Sequence, residues 1–152
     1  PVDAATALDR LAGYRLGRAD GNASHDLFVH APFSQDGGAI AVAELLDLTP
    51  PPDSFLVGNA QMALGVIGEL KRRGIRIGRD VGIVTFDDAP WAPFIDPPIS
   101  VVAQPAYEIG ATAASLLLDR ITGHESGAPR EIVLSAELLV RESSRSPARR
   151  AN

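Results

Sequence analysis

Ser54-Phe55-Leu56-Val57-Gly58-Asn59-Ala60-Gln61-Met62-Ala63-Leu64-Gly65 reads as a strand running directly into a helix. Residues 54–58 are short and mostly apolar, the pattern of a strand covered on both faces. Asn59 stands where an N-cap belongs, because its side-chain oxygen can accept from the first orphan N–H groups of a helix. The helix expected from Ala60 runs to about Arg73. Lys71, Arg72 and Arg73 complement the negative end of its dipole, and Gly74 supplies the C′ residue. A second buried strand is expected at 81–86, with Asp87-Asp88 at its carboxyl end. Two strands joined by a helix in this way form a parallel unit.

The same alternation extends in both directions. Upstream, Asp3 is a candidate N-cap for a helix to about Arg18, ended by Asp20-Gly21-Asn22. Residues 27–31 read as a strand, and Ser34 as the cap of a helix from about Gln35 to Leu48. Residues 49–53 form a stiff Pro-rich connector. Downstream come a Pro-rich loop at 89–98, a brief strand at 99–102 and a helix from Pro105 to about Ile121, closed by Gly123. Two further strands are expected at 132–134 and 137–140, and a frayed tail from Arg141 onward. The order α-β-α-β-α-β-β-α-β-β predicts an α/β fold: a parallel sheet with helices on both faces.

Composition narrows the function. The 152 residues are 45% hydrophobic and 22% charged, which suits a globular domain. A formal net charge of −5 argues against a phosphate-neutralising nucleic-acid domain. Cysteine is absent, which removes disulfides, thiolate zinc sites and a Cys nucleophile. No apolar run approaches the roughly 20 residues of a membrane-spanning helix, so no membrane partner is expected. The chain starts Pro-Val-Asp, without Met or a signal-peptide pattern, as a mature product, a trimmed chain or a fragment would.

In an open parallel sheet, ligands bind beyond the carboxyl ends of the strands. Residues 31–34, Gly58-Asn59 and Asp87-Asp88 fall there, and Gln104 can join them after the strand at 99–102. Asn59 is either a cap or a ligand-contacting amide, and the two roles can coexist because its oxygen and nitrogen act separately. Asp87 and Asp88 can cap a turn, hold Mg²⁺, take a phosphoryl group, or accept from adjacent sugar hydroxyls. No Gly-rich phosphate loop precedes them. His25, His30 and His124 lack metal-ligand spacing, and no Ser sits on a Gly-x-Ser-x-Gly elbow. Neither a metal site nor a catalytic residue is assigned, no cofactor is implied, and an enzyme is not expected.

Residues 55–65 resemble the "A-N-D-x-M-A-x-G" segment of LacI/GalR-type bacterial transcription regulators. Residues 78–88 resemble their "P-x-D-V-S-V-V-G-F-D-D" strand, and residues 96–105 their "P-P-L-T-T-V-x-Q-P" segment. Glu108-Ile109-Gly110-Ala111-Thr112-Ala113 fits the helix that follows, Leu139-Val140-Arg141-Glu142-Ser143 the closing "L-V-x-R-x-S", and Leu8 to Tyr14 the "R-x-x-G-F" helix. The segments span about residues 3–144 in order. Three departures stand out: Ala60 replaces an Asp, Thr85 a Gly and Gly78 a Pro.

The resemblance implies the C-terminal part of an effector-binding domain, a truncated periplasmic-binding-protein-like fold of two lobes and a hinge. Residues 1–98 would form the C-terminal lobe. Residues 99–128 would cross the hinge and add an N-terminal-lobe helix, 129–142 would return, and 143–152 would be a disordered tail. Arg10, Asn59 and Asp87 would contact the effector, Phe33 would stack on its apolar face, and Gln104 would serve at the hinge. Core packing is the plainer role for Phe33. The resemblance implies a cytoplasmic, homodimeric regulator that binds a small-molecule effector, a carbohydrate or its derivative. Operator DNA would be reached only through a helix-turn-helix outside these residues. A sugar-binding protein of a transport system is the alternative, and the first sixty residues of the full-length gene would separate the two. The apolar stripe of the 105–121 helix is expected either to pack on a neighbouring chain, to fold back on its own lobe, or to meet a lobe outside these residues.

Overall fold

A computed structural model describes residues 5–19 and 27–145; Asp3, Asp20-Gly21-Asn22, His25 and 146–152 lie outside the described residues. The elements are α1 (Ala5–Ala19), α2 (Gln35–Leu46), β1 (Ser54–Val57), α3 (Ala60–Arg72), β2 (Gly82–Phe86), β3 (Ser100–Ala103), α4 (Ala106–Ile121) and β4 (Glu137–Leu139). Single 3₁₀ turns lie at Ala92–Phe94 and Glu142–Ser144. The strands form one sheet in the order β1-β2-β3-β4. β1, β2 and β3 are parallel, with Phe55 opposite Ile83 and Val84 opposite Ser100. β4 runs antiparallel to β3, with Val101 opposite Leu139.

Burial follows the period-two alternation of the strands. Phe55 and Val57 of β1, Ile83 and Thr85 of β2 and Val101 of β3 are buried. Met62, Ala63, Val66 and Leu70 of α3 join this core, with Val42 of α2 behind them. α2 and α3 approach at backbone distance, because Gly65 faces the Gln35 carbonyl and Gly38 faces that of Met62. The opposite face of the sheet, carrying Leu56 and Phe86, meets α1, whose Arg10 guanidinium lies 4.3 Å from the Phe86 ring centroid. Helices therefore flank a mostly parallel sheet, as expected.

The helix ends obey the residues that set them. Ser34 accepts from the Gly37 N–H at 3.0 Å, and Asn59 accepts from the Met62 N–H at 2.9 Å. α3 closes in a Schellman arrangement: Ile75 N–H donates to the Leu70 carbonyl, Gly74 N–H to that of Lys71, and Gly74 takes φ +71°.

Three expectations need correction. Residues 27–31 and 132–134 are not strands; neither has a ladder partner among the described residues, and an extended run without one is coil. The chain does not fray at Arg141. Ser143 is completely buried, accepting from Ser100 N–H at 2.7 Å and donating to the Ile83 carbonyl at 2.8 Å. The Ser100 hydroxyl also bonds the Arg141 backbone, so residues 141–145 are stitched to β2 and β3. Of the three alternatives for the α4 stripe, folding back on its own lobe is not seen: none of the α4 residues is buried.

Candidate functional site

Three parallel strands end on one edge, and each end carries a polar residue. Asn59 follows β1, Asp87 follows β2, and Gln104 follows β3. Asn59 spends its side-chain oxygen on capping α3, while its amide nitrogen has no hydrogen-bond partner among the described residues. Asp87 holds φ +72°, a left-handed conformation that costs L-residues other than glycine energy and that Asp tolerates better than most. Its N–H donates to the Val102 carbonyl at 3.0 Å, and its Oδ1 accepts from Gln104 Nε2 at 2.5 Å. Strained backbone held in place at a strand end is a recurring mark of functional sites.

Arg10 joins this edge from α1. Its Nη1 donates to the Gly58 carbonyl at 2.5 Å while its guanidinium stacks on Phe86. Gly58 immediately precedes Asn59 and Phe86 immediately precedes Asp87, so Arg10 is fixed at the ends of β1 and β2. Stacking and one carbonyl occupy part of the guanidinium fork and leave other donors to face a ligand. Phe33 is partly exposed and precedes the α2 cap. It shares with Arg10, Gly58 and Phe86 the wall of a cavity of about 790 Å³ between residues 27–31 and β1. That cavity does not touch Asn59, Asp87 or Gln104; it follows the free edge of β1, whereas the polar groups gather at the strand ends.

Asp88, which sequence alone left beside Asp87, points to different chemistry. Arg141 engages both of its carboxylate oxygens at 2.9 Å and also donates to the Ile99 carbonyl at 2.8 Å. A carboxylate neutralised in this way is poorly suited to hold Mg²⁺, and no cluster of three or more His, Asp or Glu among the described residues could hold a metal ion. His30 is exposed on the 27–31 segment against Phe28. Sequence reasoning missed Phe86 and Arg141. Only the adjacency of Phe86 to Asp87 hinted at the first, and nothing local could bring Arg141 to Asp88 across the chain. Thr85, a departure close to the edge, is buried on the core face, its hydroxyl donating to the Val57 carbonyl at 3.3 Å. The substitution is absorbed inside the sheet rather than presented to a ligand.

Residues 3–144 match the periplasmic binding protein-like domain family. The HTH-type transcriptional repressor CytR of Escherichia coli (strain K12) is 36% identical over 138 residues, covering 90% of this chain and 40% of CytR. The chain thus spans about 40% of the length of that relative. Among solved structures, a complex of the transcriptional regulator CelR with cellobiose superposes with a TM-score of 0.88 at 36% identity, over 95% of this chain and 44% of CelR. A LacI family transcriptional regulator from Enterococcus faecium with bound ribose gives a TM-score of 0.82 at 30% identity, over 91% of this chain and 51% of that one. The order of the elements, the polar strand ends and these likenesses converge, and the chain belongs to the periplasmic binding protein-like domain family, as part of the effector-binding domain of LacI/GalR-type regulators.

Proposed function

We propose that this chain is the effector-sensing part of a bacterial transcription regulator and that it takes a small polyhydroxylated molecule, a sugar or its derivative, at the ends of β1, β2 and β3. The observation that carries this is the convergence of Arg10, Asn59, Asp87 and Gln104 on one strand edge. Asp87 accepts from paired hydroxyls, the Arg10 fork donates, and the Asn59 amide nitrogen donates. Phe33 stacks on the apolar face of the ligand from the adjoining wall. Gln104, at the exit of β3, releases Asp87 when the ligand arrives. Asp87 and Asp88 then have binding and structural roles rather than catalytic ones.

Residues 1–98 form the C-terminal lobe, β3 begins the hinge crossing, α4 belongs to the partner lobe, and β4 returns. The antiparallel β3–β4 pair, which takes the chain out to an unburied helix and back, supports that division. Ligand binding favours one lobe arrangement only through its differential affinity for the two. That shift changes the spacing of DNA-binding heads carried outside this chain on a homodimer in the cytoplasm. The exposed surface made by Ile40 of α2 and by Leu48, two residues beyond its end, is the dimer contact in this reading. Among the described residues no helix is long and apolar enough to cross a membrane. Calorimetric titration with cellobiose and with ribose tests the proposal; binding of either that disappears in Asp87→Asn supports it, and unchanged affinity in that variant removes Asp87 from the site.

A further inference from the structure

We infer that Arg141 is a positioning residue for the candidate site: by clamping Asp88 to the start of β3, it holds Asp87 in the left-handed conformation that aims its carboxylate along the strand edge. The inference rests on the assignment of Asp87 as an effector contact. Asp87 sits between two fixed points. On one side its N–H is held by the Val102 carbonyl, in line with the β2–β3 ladder that pairs Phe86 with Val102. On the other side the Asp88 carboxylate is gripped through both oxygens by Arg141. Arg141 is itself anchored. Its Nη1 reaches the Ile99 carbonyl, its backbone N–H donates to Ser100 Oγ at 2.7 Å, and its carbonyl accepts from the same hydroxyl. Ser100 is completely buried.

A residue at φ +72° keeps that conformation only while its surroundings over-determine it. Freed at Asp88, the turn can relax to negative φ and carry the Asp87 carboxylate away from Gln104 Nε2. The planar fork of arginine is needed for this task, because it meets a carboxylate through two nitrogens and a carbonyl at once, which a lysine ammonium cannot reproduce. The clamp also joins the site to the segment returning from α4, since Arg141 follows β4 by two residues.

Hydrogen–deuterium exchange resolved at single amides on the full 152-residue chain tests the clamp without any ligand. Arg141→Gln should speed exchange of the Asp87 amide on the order of tenfold or more while the amides of Gly82–Phe86 keep their protection. Asp88→Asn, at a partly exposed side chain, should do the same and guards against a folding failure of the first variant. An Asp87 amide unchanged in both, or one that speeds up only in step with all of β2, overturns the inference. Calorimetry with cellobiose and ribose on wild type, Arg141→Gln and Asp87→Asn separates the two levels. Affinity kept in Asp87→Asn defeats the assignment of Asp87 and leaves the clamp to be decided by exchange. Affinity lost in Asp87→Asn but kept in Arg141→Gln defeats the clamp.

Discussion

Asp87 combines a partly exposed carboxylate with a backbone conformation that glycine would adopt without strain. The proposed effector contact gives a reason for an Asp rather than a Gly at this position. Asp87→Gly relieves the Cβ penalty but gives the unfolded chain more freedom, so stability should stay within about 1 kcal/mol of wild type. Binding of a sugar that titrates the wild type should be lost in the same variant. A melting temperature lowered by many degrees would instead make Asp87 a structural residue. Ser143 is the converse case. Its hydroxyl serves one buried N–H and one buried carbonyl, so Ser143→Ala leaves both without a partner and should cost about 1–3 kcal/mol in urea unfolding. The caps at Ser34 and Asn59 were legible in sequence because a cap is a local event, settled within four residues. The Ser143 and Arg141 bonds were not, because they join segments some forty to sixty residues apart and the residue types alone suit a frayed end equally well.

Helices and strands differ in how far sequence reveals them. Each helix closes its hydrogen bonds within itself, so α2 and α3 fall within two residues of their expected ends. A strand exists only beside another. Residues 27–31 and 132–134 have strand composition but no ladder neighbour among the described residues, and they are coil. The α2–α3 pair gives a stringent test of packing. A methyl group on Gly65 would collide with the Gln35 carbonyl, which is backbone and cannot swing aside. Gly65→Ala should therefore destabilise the chain by about 1–3 kcal/mol despite the better helix propensity of alanine, read as a lower urea midpoint. Gly68 on the same helix has open space, and Gly68→Ala should stabilise by up to about 1 kcal/mol. The end of α3 also carries a pH signature. Hydrogen bonds from Arg72 and then Arg73 lower the Glu69 pKa from 4.5 to about 2. A depressed carboxylate contributes stability that is present above its unfolded pKa and lost as pH falls through the folded one. The contribution should therefore fade between about pH 4.5 and 2. Asp80, lowered chiefly by its hydrogen bonds with Arg76, adds to the same acid limb. In Glu69→Gln, stability measured across this range should fall less steeply than in wild type.

At the scale of the molecule, α4 contributes no residue to the core. None of its residues is buried, and Leu117 and Leu118 are each 59% exposed and Ile121 71%. Of the three alternatives for its apolar stripe, folding back on its own lobe is not the one seen, and the core face of the sheet is already filled by α3. A helix of 16 residues without tertiary support is marginal in water, because nucleation is costly and each residue then gains only its own bond. In the isolated chain, α4 should accordingly open by local fraying. Its amides from Ile109 to Ile121 should lose protection within seconds to minutes, while those of α3, fixed by Leu70 and Val66 in the core, wait for global unfolding. Three outcomes separate the remaining possibilities. Protection of α4 that rises with chain concentration means that a second copy covers the stripe, and Leu117→Glu should abolish the rise. Protection equal to that of α3 at every concentration would show that α4 is buried in solution and that the lobe division drawn from its exposure is wrong. Fast exchange at all concentrations leaves α4 as a helix whose apolar side must be covered by surface outside this chain, and the same Leu117→Glu change should then be neutral here and damaging only where that surface is present.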